Sequence, residues 1–262
     1  MIKLKSAREL EVMAHGGKIL AATLDLLREA VKPGMTTLDL DRLAEEFIRS
    51  HEGAVPAFKG LYGFPRNICT SVNEEIVHGI PAKKRVLQRG DIVSLDAGVG
   101  YQGLFTDSAI TVAVGAVDAE TKRLLEVTRE SLEAGIAQAV AGNHVGDIGS
   151  AVQEVAEAAG FSVVRELVGH GVGKAMHEDP QVPNYGKPHR GAKLMPGLTI
   201  AIEPMVNAGG RAVQTLKDGW TIVTADGSRS AHFEHTVAIT DGAPLVLTRG
   251  AGGKPAVRAS AS

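Results

Sequence analysis

Cysteine, aromatic residues and long apolar runs are all scarce in this sequence, and each scarcity excludes something. The single cysteine among 262 residues, Cys69, cannot form an internal disulfide, which rules out a disulfide framework and fits a reducing compartment. The longest apolar runs, such as LTIAI at 198–202, fall far short of the roughly 20 residues of a membrane span. The opening MIKLKSARELEVM has Lys and Glu where a secretory signal needs an apolar stretch, so a cytoplasmic protein with no membrane association is expected. Neither charge dominates: 28 Lys and Arg oppose 30 Asp and Glu, for a net charge of −2. No basic run marks a face for nucleic acid or anionic lipid. Aromatics reach only 4%, while glycine numbers 31, which points to a core of Val, Ile, Leu and Ala with many tight turns. The length suits one large domain or two small ones, with a sizeable core.

Ser6 and Glu9 form a capping box ahead of Leu10, Met13, Gly17, Leu20, Leu24 and Leu27 at helical spacing, and Pro33 and Gly34 stop the pattern. Thr37 is expected to cap a second helix through Leu38, Leu43, Phe47 and Ile48, ended by Gly53. Residues 56–79 read as loops and short strands. DIVSLD at 91–96 reads as a buried strand, the glycines of 98–103 as a turn, and 104–114 as the facing strand of a hairpin. The longest helical pattern covers 118–141, and Asp147 opens a fourth helix ended by Gly160. Strands are expected near 162–168, 198–206, 219–224, 233–239 and 245–248, with Asp226-Gly227 and Asp241-Gly242 as hairpin turns between the last three. Two helices followed by strands thus occur twice, offset by about 110 residues, with little residue identity between the copies. Residues 249–262 show no apolar periodicity and read as a flexible C-terminal tail.

Two glycine motifs mislead. Gly98 to Gly103 fits GxGxxG after a strand, with Asp118 further on, but a dinucleotide site needs a helix to start at the glycines, and FTDSAITV is a β pattern. Gly169-His170-Gly171-Val172-Gly173-Lys174 lacks both the GxxxxGK spacing and the following Ser or Thr. HExxH is absent too, and so are the two ExxH motifs that di-iron bundles need.

Carboxylates within apolar β text are the stronger signal. Asp96 ends Ile92-Val93-Ser94-Leu95, and Asp107 starts the facing strand, so a hairpin can set the two side by side on one face. Either alone reads as a turn Asp; as a buried pair they repel unless a cation lies between them. Glu203 follows Leu198-Thr199-Ile200-Ala201-Ile202 and precedes Pro204, Glu234 lies on the strand 233–239, and His170 stands between two glycines. Four carboxylates and one imidazole, all at strand ends, make a hard, oxygen-rich set. It has too many carboxylates for one structural zinc and enough for two bridged divalent ions.

The constellation Asp96, Asp107, His170, Glu203 and Glu234 resembles the dimetal site of the methionine aminopeptidases. The 11-residue Asp spacing matches, as do SVNE…HGIP at 71–81, GHGVG at 169–173, HEDP at 177–180, IEPMV at 202–206 and KDGWT at 217–221. The resemblance covers about 4–248. With Glu234 only 31 positions after Glu203, the insertion of type II members is missing, and the chain is similar to type I without an N-terminal zinc-finger extension. The resemblance implies an α+β pita-bread (creatinase/aminopeptidase) fold: a single catalytic domain over 1–248. Its pseudo-two-fold halves, about 4–115 and 116–248, would each place two helices and antiparallel strands around a central curved sheet.

What it implies chemically is removal of N-terminal methionine ahead of a small second residue, by water activated between two divalent ions. Asp96 would hold one ion, His170 and Glu203 the other, and Asp107 and Glu234 would bridge. Glu203 is the implied general base, His177 the oxyanion partner, and His78 the partner of the substrate backbone nitrogen. By position the methionine pocket should include Phe58, Leu61, Phe64, Cys69, Met176 and Trp220; Leu61 and Met176 depart from the tyrosine and phenylalanine of familiar members. His15, His51, His144 and His189 read as ordinary surface or loop histidines. The metal is left open among Mn, Fe, Co and Zn. The implied partners are nascent N-termini at the ribosome, with a monomer expected. Two alternatives are a proline-directed peptidase of the same fold, for which no extra domain fits before Ser6, and a non-catalytic peptide-binding module, which would not need all five ligands.

Overall fold

The computed structural model describes residues 2–250, so most of the expected tail, 251–262, lies outside the described residues. Helix α1 (Ala7–Ala30) starts where sequence chemistry places it: Ser6 Oγ accepts the Glu9 N–H at 3.3 Å, and Glu9 Oε2 accepts the Ser6 N–H at 2.8 Å. Helix α2 (Thr37–Arg49) is capped by Thr36, one residue earlier than expected. The reciprocal partner of the box is Asp39, three residues after Thr36, while the Thr37 hydroxyl is used elsewhere, donating to the Ala82 carbonyl at 3.2 Å. The helix also ends at Arg49, before Gly53.

The short strands β1 (Ala54–Pro56), β2 (Ile68–Val72) and β3 (Glu75–Val77) follow, and then the hairpin of β4 (Ile92–Tyr101) and β5 (Leu104–Ala113). Here the expectation is corrected: β4 continues through the glycines, and the turn is only Gln102-Gly103. The glycines are bare because large side chains lie over them. A Cβ on Gly98 would come 2.5 Å from Met176 Cε and 2.8 Å from Phe58 Cε1. Asp96 is therefore in mid-strand. Asp107 pairs with Gly98 and Asp96 with Ala109, so the two carboxylates are diagonal rather than directly opposed.

Helices α3 (Ala119–Ala137), capped by Asp118, and α4 (Val145–Ala158), capped at His144, come next. The later strands are β6 (Ser162–Val163), β7 (Gly169–Gly171), β8 (Glu178–Val182), β9 (Thr199–Ile202), β10 (Met205–Asn207), β11 (Val213–Thr215), β12 (Ile222–Thr224), β13 (Ser230–His232), β14 (Glu234–Ala238) and β15 (Leu245–Val246). The main sheet runs β1-β4-β5-β14-β9-β7-β8, with β2 beside β4 and β15 beside β14. Neighbouring strands in it run antiparallel. Two three-stranded sheets, β13-β10-β6 and β11-β12-β3, complete the set. The strand expected at 198–206 is split by Glu203-Pro204, so that β9 joins the main sheet and β10 a small one. The strand expected at 162–168 shortens to Ser162–Val163. Asp226-Gly227 is no hairpin turn, since β12 and β13 belong to different sheets, whereas Asp241-Gly242 does connect the paired β14 and β15.

Each helix pair brings its own core to the sheet. Leu20, Leu24, Leu27, Leu40 and Ile48 pack with Ile68, Val93 and Leu95; Leu132, Ile136 and Ile148 pack with Val182, Ile200, Ile202 and Val237. Each such side chain contributes about 1.5–3 kcal/mol when fully buried. A third cluster, Phe58, Phe64, Cys69 and Met176 with Trp220 against it, forms the wall of the site. Among the described residues, no helix is long and apolar enough to cross a membrane.

Candidate metal centre and active site

A cavity of about 790 Å³ opens over the main sheet. All five expected ligands line it: Asp96 from β4, Asp107 from β5, His170 from β7, Glu203 at the β9–β10 break and Glu234 at the start of β14. Ligand atoms of Asp107, His170 and Glu234 lie within 4.8 Å of one another. His170 Nε2 is 3.8 Å from Asp107 Oδ2 and 3.5 Å from Glu203 Oε1. His170 Nδ1 sits 2.9 Å from the Gly171 carbonyl, which fixes the proton on Nδ1 and leaves the Nε2 lone pair facing the carboxylates. The Glu203 carbonyl accepts from Asn184 Nδ2 at 2.9 Å, and so the strand break is tied down.

The electrostatics are those of a cation site. Burial pushes the Asp96 carboxyl up to about 7. Burial and then the neighbouring carboxylates push Asp107, Glu203 and Glu234 well above their usual range. Burial also lowers His170 to about 4 and raises the Cys69 thiol. Asp96 Oδ1, Asp107 Oδ1 and Glu234 Oε1 are buried without a hydrogen-bond partner. Unpaired buried oxygens of this kind are costly alone and are satisfied by divalent ions, so the residues present fit a metal.

Around this floor, His177 meets the His170 ring edge-on at 4.4 Å and stacks with Tyr62 at 5.6 Å. His78 takes a left-handed backbone, φ 59°, a strained conformation typical of functional positions, and its ring faces Trp220 at 6.4 Å. Phe58, Leu61, Phe64, Cys69 and Trp220 line the cavity. Met176 does not line it, a correction to the expected pocket: it is 3% exposed and packs with Phe58 over Gly98. The four set-aside histidines lie elsewhere; His15, for instance, stacks on Tyr101 at 4.6 Å.

Sequence reasoning missed His232. It ends β13, is 2% exposed, and places Nε2 3.9 Å from Glu203 Oε2 and 4.0 Å from Glu234 Oε2. Burial lowers it to about 3, so it faces the carboxylates as a neutral ring. Its signal was its position two residues before Glu234, on the same side of an alternating β segment.

Comparison with known proteins agrees with this geometry. The model of the metallopeptidase family M24 matches residues 11–241. Methionine aminopeptidase of Clostridium acetobutylicum is 53% identical over 251 residues, covering 95% of this chain and 99% of its own. That of Escherichia coli is 41% identical over 247 residues, covering 94% of each. The crystal structure of methionine aminopeptidase from Thermotoga maritima superposes with a TM-score of 0.93 at 48% identity, covering 95% of this chain and all of that one. The prolidase of Pyrococcus horikoshii shares the fold at 22% identity and a TM-score of 0.76, and the chain spans 63% of its length. The chain belongs to metallopeptidase family M24, in its pita-bread fold, and within that family to the type I methionine aminopeptidases.

Proposed function

We propose that the chain hydrolyses the peptide bond after an N-terminal methionine when the second residue is small, using two divalent ions held by Asp96, Asp107, His170, Glu203 and Glu234. One observation carries this reading: four carboxylates, Asp107 and Glu234 buried and Asp96 and Glu203 half-buried, converge with one imidazole on the floor of a cavity whose wall is apolar. Asp96 would hold one ion, His170 and Glu203 the other, with Asp107 and Glu234 shared between them. When bound, such ions supply Lewis acidity and lower the pKa of water. Mn, Fe, Co and Zn all suit the donor set.

The protein's own groups then have distinct tasks. Glu203 accepts the proton of the attacking water and hands it to the leaving amine. His177, beside His170, hydrogen-bonds the oxygen on which charge develops, and His78 the backbone nitrogen of the substrate. Burial lowers both histidines, so they work as neutral donors. Phe58, Leu61, Phe64, Cys69 and Trp220 offer neither cation nor carboxylate, which selects a long, uncharged side chain; the methionine thioether gains contacts with the rings. Residues 1–248 would act as one catalytic domain of two halves, about 4–115 and 116–248. Nascent polypeptides in the cytoplasm, met at the ribosome by a monomer, are the substrates that suit such a site.

A peptide panel tests this. Met-Ala and Met-Gly peptides should be cleaved, norleucine-Ala within the factor set by about 1–3 kcal/mol, and Met-Lys, Met-Phe and Lys-Ala far more slowly. Comparable kcat/KM for Met-Ala, Leu-Ala and Lys-Ala would remove the methionine assignment, and preference for Xaa-Pro would make the chain a proline-directed peptidase.

A further inference from the structure

The segment ahead of α1 reaches into the wall of the active site. Lys5 Nζ lies 2.6 Å from Glu178 Oε2, with the two side chains 2% and 4% exposed, and it also donates to the Lys3 carbonyl at 3.0 Å. Glu178 directly follows His177. Its second oxygen accepts the backbone N–H groups of Lys174 and Ala175 at 2.8 and 3.1 Å, so one carboxylate closes the loop 173–178 on itself. Burial alone would push Glu178 up; the Lys5 ammonium and the two N–H groups outweigh it and hold the carboxyl below its usual range.

Lys5 is itself anchored, its N–H donating to the Gly197 carbonyl at 2.7 Å. Its stem lies flat on the loop backbone: a Cβ on Gly173 would overlap Lys5 Cε, which is why that position is glycine. The Gly173 carbonyl in turn accepts the Phe105 N–H of β5 at 2.7 Å. Outside, Lys174 Nζ meets Glu9 Oε1 of α1 at 2.9 Å.

A buried ion pair adds little net stability, because desolvation offsets attraction; what it fixes is geometry. The geometry at stake here is that of His177. Its ring lines the cavity in contact with Tyr62 and His170, and where it reaches depends on the backbone of the loop that carries it.

We propose that Lys5 is a positioning residue, which through Glu178 sets the loop 173–178 and thereby the place of His177 against the scissile carbonyl. This rests on the reading of His177 given above. Lys5→Met keeps the stem and removes the charge. In the metal-loaded enzyme with a Met-Ala peptide it should lower kcat at least tenfold, leave KM and metal content nearly unchanged, and be largely rescued by Lys5→Arg. The deciding experiment is a double-mutant cycle with His177→Ala. Acting through His177, Lys5→Met should lower kcat less than a further twofold in the His177→Ala background. Losses that multiply would overturn the inference and leave His177 in its role. A His177→Ala variant with wild-type kcat would overturn that role, and this inference with it. Should Lys5→Met fail to fold, Glu178→Gln, which keeps an oxygen for the two N–H groups, runs the same cycle.

Discussion

The Thr236 hydroxyl holds Asp107 from both sides, accepting its N–H at 2.9 Å and donating to its carbonyl at 2.8 Å. On the same strand pair, Ser108 Oγ donates to the Glu234 carbonyl at 2.7 Å. The β5–β14 ladder itself registers only Glu234 with Ala109 and His235 with Ser108. Side-chain hydroxyls therefore finish what the ladder leaves open, and they set the backbones of two carboxylates on adjacent strands.

Thr236→Val tests that arrangement. The change is nearly isosteric, but it leaves the Asp107 N–H and carbonyl buried without partners, at about 1–3 kcal/mol each. The midpoint of thermal unfolding should drop by roughly 4–24 °C at about 2–4 °C per kcal/mol, and metal affinity should weaken about tenfold, in the range typical of groups that orient ligands. Thr236→Ser should behave as wild type in calorimetry and metal titration. Unchanged metal affinity in Thr236→Val would show that Asp107 is not a ligand.

Glu203→Gln keeps size and fold and removes the base. Loss of a general base that also serves as a ligand should lower kcat by at least the roughly 10² to 10⁴ of proton transfer, with the circular dichroism spectrum and unfolding midpoint close to wild type. A variant with near wild-type kcat would exclude Glu203 as the base.

The parts of this site legible in sequence are those where local chemistry is out of place. Asp96, Asp107 and Glu203 stand out because acids interrupt apolar β text, and Pro204 marks the point where the strand breaks. What was illegible depends on contacts far apart in the chain. Thr236 reads as an ordinary strand threonine until Asp107, 129 residues away, lies against it. The glycines of 98–103 read as a turn because nothing local says that Phe58 and Met176 lie over Gly98. Met176 is expected in the pocket by its position before the second histidine, where familiar members have phenylalanine; it turns instead into the layer behind, against Phe58 over Gly98.

Stripping the metal should make stability fall with alkaline pH. A carboxyl whose folded pKa is raised loses stability as pH rises from its unfolded value through its folded one. For Asp96 that window runs from 3.8 to about 7, and Asp107, Glu203 and Glu234, raised by burial and by neighbouring carboxylates, act in the same direction. The buried histidines act oppositely, because His170 and His232 are lowered from 6.5 to about 4 and about 3; their contribution is complete once pH exceeds 6.5. Above pH 6.5 the carboxylates act unopposed. The chelator-treated protein should therefore unfold at progressively lower temperature as pH rises from 6.5 through about 7, and metal should restore stability most at the alkaline end of that range. A flat profile for the metal-free protein would mean that the four carboxylates do not share one buried site.

Gly98→Ala separates pocket shape from chemistry. The added Cβ would lie 2.5 Å from Met176 Cε, 2.8 Å from Phe58 Cε1 and 3.0 Å from Ala57 Cβ. The Met176 end can swing aside, but the Phe58 ring lines the cavity and can yield only by moving into it. Overpacking of this kind costs about 1–3 kcal/mol. Gly98 faces Asp107 across the hairpin, and Asp96 lies two residues away, yet the new methyl meets apolar atoms alone, so the metal set should persist. KM for Met-Ala peptides should rise about 5- to 150-fold on that range, with kcat and metal stoichiometry within a factor of about three, and the thinner, straight side chain of norleucine should suffer no more than methionine. If kcat collapses while KM holds, or if metal is lost, then Gly98 supports the ligand geometry, and the wall formed by Phe58 is not where the first residue of the substrate is measured.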